Sequence, residues 1–423
     1  MKIEQDTQSF FAKDRSYEPC DETVLSLIQE EEVRQSTTIN LIASENYTHP
    51  IIQKITGSAL TNKYAEGYPG KRYYSGCAII DQIELLAQKR CNALFNAEHS
   101  NVQPHAGSQA NMAVFLGLLQ PGNTIMGMNL RDGGHLTHGH AVNFSGTYYK
   151  SIQYTVNPET ELLDYAAIEK LAHQCKPQLI IAGASAYSRI IDYERFAAIA
   201  KEVDAFFLAD IAHIAGLIAT QLHPNPLPFA DVVTSTTHKT LRGPRGGFIL
   251  SKQQYAQDID KAIMPGMQGG PFLHAIAAKA TAFHLAASDS FHNYQEQVIS
   301  NAQIMAQEFK NYNYRIVSDG TDNHLFIVDL RSKHITGKHA EHTLEKVGIT
   351  VSRSCIPFDP ERPWITSGIR IGTPAISTRG MKEAEVKNIV YFIHEALMHY
   401  DNDHKLSTIR HAVKKLCQQF PIY

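Results

Sequence analysis

The stretch TSTTHKTLRGPRGG, residues 234–247, places a single lysine between a run of hydroxyl side chains and a glycine-rich turn. Val232 and Val233 before it, and the apolar residues 248–250 after it, predict a strand on each side. Lys239 is therefore expected where a strand ends and a loop begins. A buried lysine there loses its charge readily and attacks carbonyl carbons. The alternative is a solvated lysine in a surface loop.

A second apolar run, residues 205–209, is short enough for a buried strand and ends at Asp210. An acid at the carboxyl end of a parallel strand is well placed to meet a ligand. Enzymes that use pyridoxal phosphate need a lysine that binds the cofactor as a Schiff base and a carboxylate that pairs with its pyridinium nitrogen. Lys239 and Asp210 together fit these two roles, although Asp210 alone fits a helix N-cap equally well.

From about Asp21 to the C-terminus, the chain resembles the serine hydroxymethyltransferases. The resembling segments are LIASENY (41–47), LTNKYAEGYPGKRYY (60–74), VQPHAGSQAN (102–111), GGHLTH (133–138), NFSG (143–146), SGIRIGTPA (367–375) and the two segments around Asp210 and Lys239. The resemblance implies an enzyme that moves the hydroxymethyl carbon of L-serine to tetrahydrofolate and leaves glycine. It also implies pyridoxal 5'-phosphate as cofactor and a homodimer with shared active sites, or a tetramer.

A cofactor phosphate needs backbone N–H donors and the positive end of a helix dipole. Gly107, Ser108 and Gln109 directly precede an apolar helical stretch at 110–119 and have this form, although an ordinary helix cap has it too. The resemblance implies further cofactor contacts. They are His238, with Tyr64 and Gly270 of the partner subunit, near the phosphate; His135 and His213 on the two faces of the ring; and Ser185 and Arg245 near the phenolate and the Schiff base. For His213, a hydrogen-bonded core histidine is the alternative.

An amino-acid substrate presents a carboxylate, for which the two-pronged guanidinium of arginine is the strongest receptor. Arg370 matches the family's carboxylate clamp, with Ser44 orienting the substrate, whereas a surface ion pair is the alternative. Breaking the bond between Cα and Cβ of serine requires an acid or base. The resemblance makes Glu66, which reaches the neighbouring subunit's site beside Tyr74, the candidate, either as the group that transfers the proton or as a residue that orients folate. It also places Thr236 next to the Schiff base, with a hydroxylated strand end as the equal alternative.

Folate is expected to bind along the segment that contains Leu130, Gly134 and Leu136, with Ser354 nearby. The chain departs from the family's usual residues there: Ser354 replaces asparagine, Met264 replaces phenylalanine, Arg189 replaces glycine and His140 replaces serine. Losing one amide contact weakens folate binding by roughly 1 kcal/mol.

These departures leave open a folate-independent aldolase that acts on 3-hydroxy amino acids or α-methylserine. A catalytically silent binding protein is a third hypothesis, and the intact Lys239, Asp210, Arg370 and Glu66 argue against it.

Composition favours a soluble enzyme with 43% hydrophobic and 19% charged residues, and a formal charge of −3 argues against nucleic-acid binding. Residues 1–15 are polar and no run approaches the roughly 18 apolar residues of a membrane span, so we expect the cytoplasm and no membrane partner. Six scattered cysteines predict reduced thiols. Although His135, His138 and His140 lie within six positions of one another, no carboxylate or thiol lies near them at a familiar ligand spacing, so no metal is expected.

Short apolar runs that alternate with helical patterns predict an α/β fold. We expect a large domain with a mostly parallel seven-stranded sheet flanked by helices, as in fold type I of pyridoxal-phosphate enzymes, and a smaller α+β C-terminal domain. The predicted bounds are 1–35 for an N-terminal arm and helix, 36–290 for the large domain and 291–423 for the small one. Predicted helices are 21–36, 196–203, 295–309 and a closing helix at 383–399, and predicted strands include 178–182, 206–208, 314–317 and 325–330.

Overall fold

The computed structural model describes residues 21–423, and its strands and helices alternate along most of the chain. The strands are β1 Ile39–Asn40, β2 Gly67–Tyr68, β3 Lys71–Arg72, β4 His99–Asn101, β5 Thr124–Met128, β6 Lys150–Tyr154, β7 Leu179–Gly183, β8 Phe206–Asp210, β9 Val232–Thr236, β10 Gly247–Ser251, β11 Arg315–Ile316, β12 Leu325–Asp329, β13 Ile349–Thr350, β14 Ser352–Ser354 and β15 Gly368–Gly372.

The α-helices cover both faces of the largest sheet and pack around a second, smaller one. They are α1 Glu22–Thr37, α2 Pro50–Thr56, α3 Ala78–Phe95, α4 Gly107–Leu118, α5 Phe144–Thr147, α6 Tyr165–Cys175, α7 Tyr193–Glu202, α8 Ala215–Ala219, α9 Ala256–Lys261, α10 Leu273–Ala286, α11 Asp289–Asn311, α12 Gly337–Lys346, α13 Pro374–Thr378, α14 Glu383–Met398 and α15 Asp403–Gln419.

The largest sheet has seven strands in the order β4-β10-β9-β8-β7-β5-β6. Only β10 runs against its neighbours β4 and β9, and the remaining pairs are parallel. Along β7, Ile180 faces one core, which contains α3 and α7, while Ile181 faces another, which contains α4 and α9. Because both faces are covered, the strand is apolar throughout. The predicted α/β fold with a mostly parallel seven-stranded sheet is confirmed.

The second sheet is antiparallel and has the order β11-β12-β15-β14. Helices α11 and α12 pack on it and α14 packs on these two helices, and the shared core includes Phe309, Phe326 and Ile393. Ile39 and Leu41 belong to this same core, and β1 pairs with β13 in parallel. The segment predicted to open the large domain at residue 36 therefore has its first strand among C-terminal elements, and the domain bounds stay predictions.

The ends of the chain give one confirmation and one correction. Helix α1 begins at Glu22, where the Asp21 side chain accepts a hydrogen bond from the N–H of Val24 at 3.1 Å, so the predicted first helix is confirmed. The prediction that 383–399 is the closing helix is wrong, because α15 follows it. This helix buries Leu406, Ile409 and Val413 against the C-terminal core.

The cysteines and the length of the helices can also be compared with the sequence expectations. The five cysteines within residues 21–423 are free thiols, as predicted, and Cys20 lies outside the described residues. None of the helices in that range combines the length and the apolar character that a bilayer crossing requires.

Candidate active site

A cavity of about 460 Å³ opens at the carboxyl ends of β7, β8 and β9, where α/β sheets bind their ligands. Asp210 ends β8, and Lys239 follows the end of β9 by three residues. Most of the predicted site residues line this cavity: Ser44, Gly107, Ser108, Leu130, Gly134, His135, Leu136, Ser185, Asp210, His213, Thr236, His238, Lys239, Arg245 and Arg370.

Lys239 is 9% exposed, and burial lowers the pKa of its amine to about 8, against the attraction of Asp210. Its main-chain carbonyl accepts a hydrogen bond from Asn46 Nδ2 at 3.0 Å, which holds the residue at the cavity wall. Among the hydrogen bonds of residues 21–423, none involves Lys239 Nζ. A buried amine that is partly neutral and unpaired is suited to attack a carbonyl carbon.

Three donors converge on the carboxylate of Asp210. Its Oδ2 accepts hydrogen bonds from His138 Nε2 and Asn111 Nδ2, each at 2.9 Å, and its Oδ1 accepts one from the N–H of Ala212 at 3.0 Å. Burial alone would raise the pKa of Asp210, but the hydrogen bonds from His138 and the Asn111 amide hold it well below its usual range. The carboxylate is therefore ionised at any physiological pH.

The same network sets the tautomer of His135. The Thr234 hydroxyl donates to Asn111 Oδ1 at 2.6 Å, so the Asn111 amide nitrogen faces Asp210 and the Thr137 hydroxyl, the latter at 2.8 Å. His135 Nδ1 accepts the main-chain N–H of Thr137 at 3.2 Å and therefore carries no proton, so the Thr137 hydroxyl 2.7 Å away donates to it as well. His135 therefore carries its proton on Nε2, and burial lowers its pKa to about 4, so the ring is neutral.

His213 lies in the cavity wall, with its Nδ1 3.3 Å from Nε2 of the buried His324. Burial, followed by the charge of Lys239, lowers the pKa of His213 well below its ordinary value. Burial and the charge of Arg370 lower the pKa of His324 to about 3. Both imidazoles are therefore neutral, and one donates a hydrogen bond to the other.

Arg370 projects from β15, and only some of the hydrogen-bond donors of its guanidinium have partners. Its Nη1 donates to the Ser185 carbonyl at 2.7 Å, whereas its Nε is buried without a partner. Burial lowers the pKa of this guanidinium to about 10, which leaves it charged at neutral pH. An unpaired buried donor on a cation is costly, so the site favours an anionic group that accepts from it.

The part of the cavity lined by the start of α4 and by His238 offers N–H donors. Helix α4 begins at Gly107 with no side-chain cap, so its first N–H groups are free for a ligand. Gly107 is required there, because an added Cβ would lie 2.6 Å from Thr236 Cγ2. The Nδ1 atom of His238 is also buried without a partner. Burial, together with the charge of Arg245, lowers the pKa of His238 to about 3.

Four predicted residues gather away from this cavity, in a cluster of their own. The rings of Tyr64 and Tyr74 meet edge to face at 5.3 Å, and Gly270 packs so closely on Tyr64 that an added Cβ would lie 2.9 Å from the ring. An added Cβ on Gly269 would similarly lie 2.8 Å from Glu66 Oε1. Tyr64 is 55% and Tyr74 is 46% exposed. Within one subunit, these residues meet one another but not the Lys239 cavity.

Three further residues expected near the cofactor or folate do not line the cavity. Gln109 is in the first turn of α4, one residue beyond the lining Ser108. Ser354 lies on the edge strand β14, and its hydroxyl donates to the Cys355 carbonyl at 3.1 Å. Met264 is 8% exposed and packs in the core beneath α4 and α9.

The other two departures from the family also have local partners. Arg189 donates to the Ser318 carbonyl at 2.6 Å and pairs with Asp322 at 2.9 Å, which joins the loop after β7 to the C-terminal sheet. His140 lies beyond the lining residues of the loop at 130–138.

The sequence interpretation missed two residues that act on Asp210. It considered His138 only as a metal ligand, although a second histidine three positions after His135 was a usable signal. Asn111 had no local signal, because its contact with Asp210 joins positions 99 residues apart. Also unpredicted in the lining are Glu45, Ala106, Ala184 and Ala212.

A family model described as serine hydroxymethyltransferase matches residues 17–393 of the chain. The matched range includes both main sheets and every residue that lines the cavity.

Proposed function

Because the chain belongs to the serine hydroxymethyltransferase family, a family of pyridoxal-phosphate-dependent transferases that use folate, we propose that it interconverts serine and glycine. The proposed reaction transfers the hydroxymethyl carbon of L-serine reversibly to tetrahydrofolate and yields glycine and 5,10-methylenetetrahydrofolate. One observation carries the proposal: the unengaged amine of Lys239 shares a single cavity with the ionised Asp210 and the unpaired Nε of Arg370.

The residues of the cavity fit pyridoxal 5'-phosphate. Lys239 would hold its aldehyde carbon, Asp210 its ring nitrogen, and the first N–H groups of α4, with His238, its phosphate. The orphaned Nδ1 of His238 and the uncapped start of α4 support the phosphate end. When bound, this cofactor supplies an electron-accepting ring that weakens the bonds to the substrate's α-carbon.

The surrounding side chains determine the charge that the ring experiences. Asp210 stays anionic because of its three donors, and it would thereby hold a proton on the ring nitrogen of the bound cofactor. His135 and His213 are neutral, so they can lie against the two faces of the ring without opposing its positive charge. Ser185 and Arg245 complete the wall.

Arg370 is proposed to bind the substrate carboxylate. Its Nη1 is held by the Ser185 carbonyl, so the unpaired Nε and the remaining N–H groups are left to meet the carboxylate from a defined direction. Ser44 lines the same cavity and orients the substrate. Thr236 donates to the Ala212 carbonyl at 3.2 Å, which holds its hydroxyl against the segment that follows Asp210 in the wall of the same cavity.

Glu66 is proposed to take the proton from the serine hydroxyl in the neighbouring subunit's site, beside Tyr74. Tyr64 and Tyr74 are exposed, Glu66 and Gly270 are partly exposed, and this cluster is separate from the cavity of its own subunit, which supports donation across a homodimer interface. In that arrangement, Tyr64 and Gly270 complete the partner's phosphate site. The proposal includes a homodimer or a tetramer of such dimers, acting in the cytoplasm.

Folate is proposed to enter along Leu130, Gly134 and Leu136, which line the cavity. One observation favours a second candidate, a folate-independent aldolase for 3-hydroxy amino acids or α-methylserine. Ser354 directs its hydroxyl to its own neighbour's carbonyl and offers no amide at the position where the family usually has asparagine.

Serine cleavage with and without tetrahydrofolate separates the candidates. The purified protein, loaded with pyridoxal phosphate, is incubated with L-serine, and the glycine formed is measured. We expect glycine to form rapidly only when tetrahydrofolate is present. Equal rates with and without tetrahydrofolate would favour the aldolase, and no glycine under either condition would contradict both enzymes.

A further inference from the structure

Arg72 holds the backbone on both sides of Glu66. Its Nη1 donates to the carbonyl of Ala65 at 3.0 Å and to that of Gly67 at 2.7 Å. The carbonyl of Glu66 itself accepts from the N–H of Tyr73 at 3.0 Å. Glu66 is partly exposed, so the position of its carboxylate depends on these backbone contacts.

Arg72 is in turn held by two carboxylates. Its Nη2 lies 2.6 Å from Glu84 Oε2, and its Nε lies 2.9 Å from Asp81 Oδ1. The side chains of Arg72 and Glu84 are 3% and 0% exposed. A buried ion pair of this kind adds little net stability compared with apolar residues, but it fixes geometry strictly, because either charge alone would be left unpaired.

Gln103 connects the Arg72–Glu84 pair both to Gly67 and to the segment that contains Gly269, which faces the Glu66 carboxylate. Its Nε2 donates to the Gly67 carbonyl at 3.0 Å and to Glu84 Oε1 at 2.7 Å, while its main-chain carbonyl accepts from Gln268 Nε2 at 3.1 Å. Gln268 directly precedes Gly269, the residue that faces Glu66 Oε1. The backbone of Glu66 and the surface beside its carboxylate are therefore held by one connected network.

We propose that Arg72, Glu84 and Gln103 are positioning residues that set the carboxylate of Glu66 for its proton transfer. This inference rests on the proposed function, because it is that function that gives Glu66 a proton to move. A catalytic group must lie within hydrogen-bonding reach of the proton, and a displacement of about 1 Å lowers the rate about 100-fold. None of the three lines the cavity, and the hydrogen bonds of their side chains within residues 21–423 go to residues outside its lining.

Glu84→Gln is the decisive variant, since it keeps the shape of the side chain and removes the charge that holds Arg72. We expect kcat for serine cleavage to fall about 10- to 100-fold. The KM for serine and the dissociation constant for pyridoxal phosphate are expected to change less than about twofold, because Arg370, Lys239 and Asp210 are untouched.

A double-variant cycle with Glu66→Gln separates positioning from general destabilisation. If Glu84 acts through Glu66, adding Glu84→Gln to Glu66→Gln lowers kcat no further. If the fold-losses in kcat of the two single variants multiply in the double variant, the inference is overturned. If Glu84→Gln is not recovered folded, Gln103→Met provides the same cycle without an unpaired charge.

The control is Asp329→Asn, which weakens an ion pair with Arg315 in the C-terminal sheet, where the two side chains lie 2.7 Å apart, the carboxylate is 4% exposed and the guanidinium is 42% exposed. We expect it to lower the melting temperature, and any loss in kcat to be the same with Glu66 or Gln at position 66. If the wild type is active and Glu66→Gln leaves kcat for serine cleavage unchanged, only the positioning role is overturned. A wild type that cleaves no serine with tetrahydrofolate overturns both proposals.

Discussion

His138 Nε2 donates a hydrogen bond to Asp210 Oδ2 at 2.9 Å, and His138 Nδ1 accepts one from the main-chain N–H of His135 at 3.2 Å. One imidazole thus connects the acid at the end of β8 with the loop that contains His135. Because both ring nitrogens are engaged, the tautomer with the proton on Nε2 is the one that satisfies both contacts.

Removing this donor should weaken cofactor binding. For His138→Leu, we expect the affinity for pyridoxal phosphate to fall about 10- to 100-fold, because a hydrogen bond to a charged group contributes about 1.5–3 kcal/mol. The depressed pKa of Asp210 contributes folding stability above the ordinary aspartate pKa, which is lost as the pH falls through the pKa in the folded protein. Without His138 that pKa should rise, so the carboxylate that would pair with the ring nitrogen becomes protonated at a higher pH. The variant should therefore lose cofactor at a higher pH than the wild type.

The measurement is the dissociation constant of the cofactor between about pH 4 and pH 8, the range over which a raised aspartate pKa would show. His173→Leu is the control, because that histidine is half exposed and pairs with Glu202 on the surface. An unchanged affinity and pH profile in His138→Leu would refute the role given to His138.

Lys239 should capture the cofactor in a pH-dependent manner. Only the neutral amine attacks the aldehyde, so the capture rate should rise about tenfold per pH unit below the pKa of about 8 and level off above it. In the cofactor-free protein, the lowered pKa costs stability at and below that pH, and this cost decreases as the pH rises towards the unfolded value.

Stopped-flow absorbance after mixing the cofactor-free protein with pyridoxal phosphate tests the rate. Lys239→Met should abolish covalent capture. Lys252→Met should leave it unchanged, because Lys252 is a surface partner of Asp231. A rate that is flat between pH 6 and pH 8, a range chosen around the pKa of about 8, would argue against a buried nucleophile.

Arg370 should control substrate affinity rather than cofactor affinity. For Arg370→Lys, we expect the KM for serine to rise about 100-fold, because lysine cannot bind a carboxylate with two parallel N–H groups. Cofactor affinity should change less than about threefold. The control is Arg353→Lys on the adjacent strand β14, where the guanidinium is partly exposed and pairs with Glu341. Similar KM values for both variants would contradict the carboxylate assignment.

Local patterns were enough to predict the two central residues of the site. Lys239 and Asp210 each follow an apolar strand of the parallel sheet, and such strands end at the same edge. The first helix was also predictable, because Asp21 is a strong N-cap directly before a helical pattern.

Contacts between distant positions were not predictable from local pattern. Asp210 meets His138 across 72 residues, and β1 reaches β13 across more than 300, so both depend on how the sheets assemble. The missed helix α15 is a different case. Leu406, Ile409 and Val413 recur at helical spacing, so the signal was present in the sequence.

Restoring the family's usual residue at position 354 should strengthen folate binding. For Ser354→Asn, we expect the KM for tetrahydrofolate to fall about fivefold, which corresponds to roughly 1 kcal/mol for one added amide contact. Steady-state kinetics at varied concentrations of tetrahydrofolate give this KM for the wild type and the variant. Ser332→Asn, at an exposed serine in the turn after β12, is the control. An unchanged KM for tetrahydrofolate in Ser354→Asn would place the pterin away from β14.

Mixed dimers should test the sharing of sites. Lys239→Ala and Glu66→Gln homodimers should each be nearly inactive. Subunits exchanged between the two at equal amounts should recover about one quarter of wild-type activity, because half of the dimers then contain one intact site out of two. Recovery measured after mild denaturation and refolding of the mixture supports donation of Glu66 across the interface. The absence of recovery, with dimers shown to mix, would confine Glu66 to its own subunit.

The most direct test of the central claim is an absorbance titration of the purified protein loaded with pyridoxal phosphate. Glycine is added first and tetrahydrofolate second, while the visible spectrum of the bound cofactor is followed. We predict a spectral change on adding glycine and a strong new long-wavelength band only when tetrahydrofolate follows, with neither change in Lys239→Met. A spectrum that responds to glycine but ignores tetrahydrofolate would contradict the hydroxymethyltransferase and favour the aldolase, and no cofactor spectrum in the wild type would contradict the cofactor assignment itself.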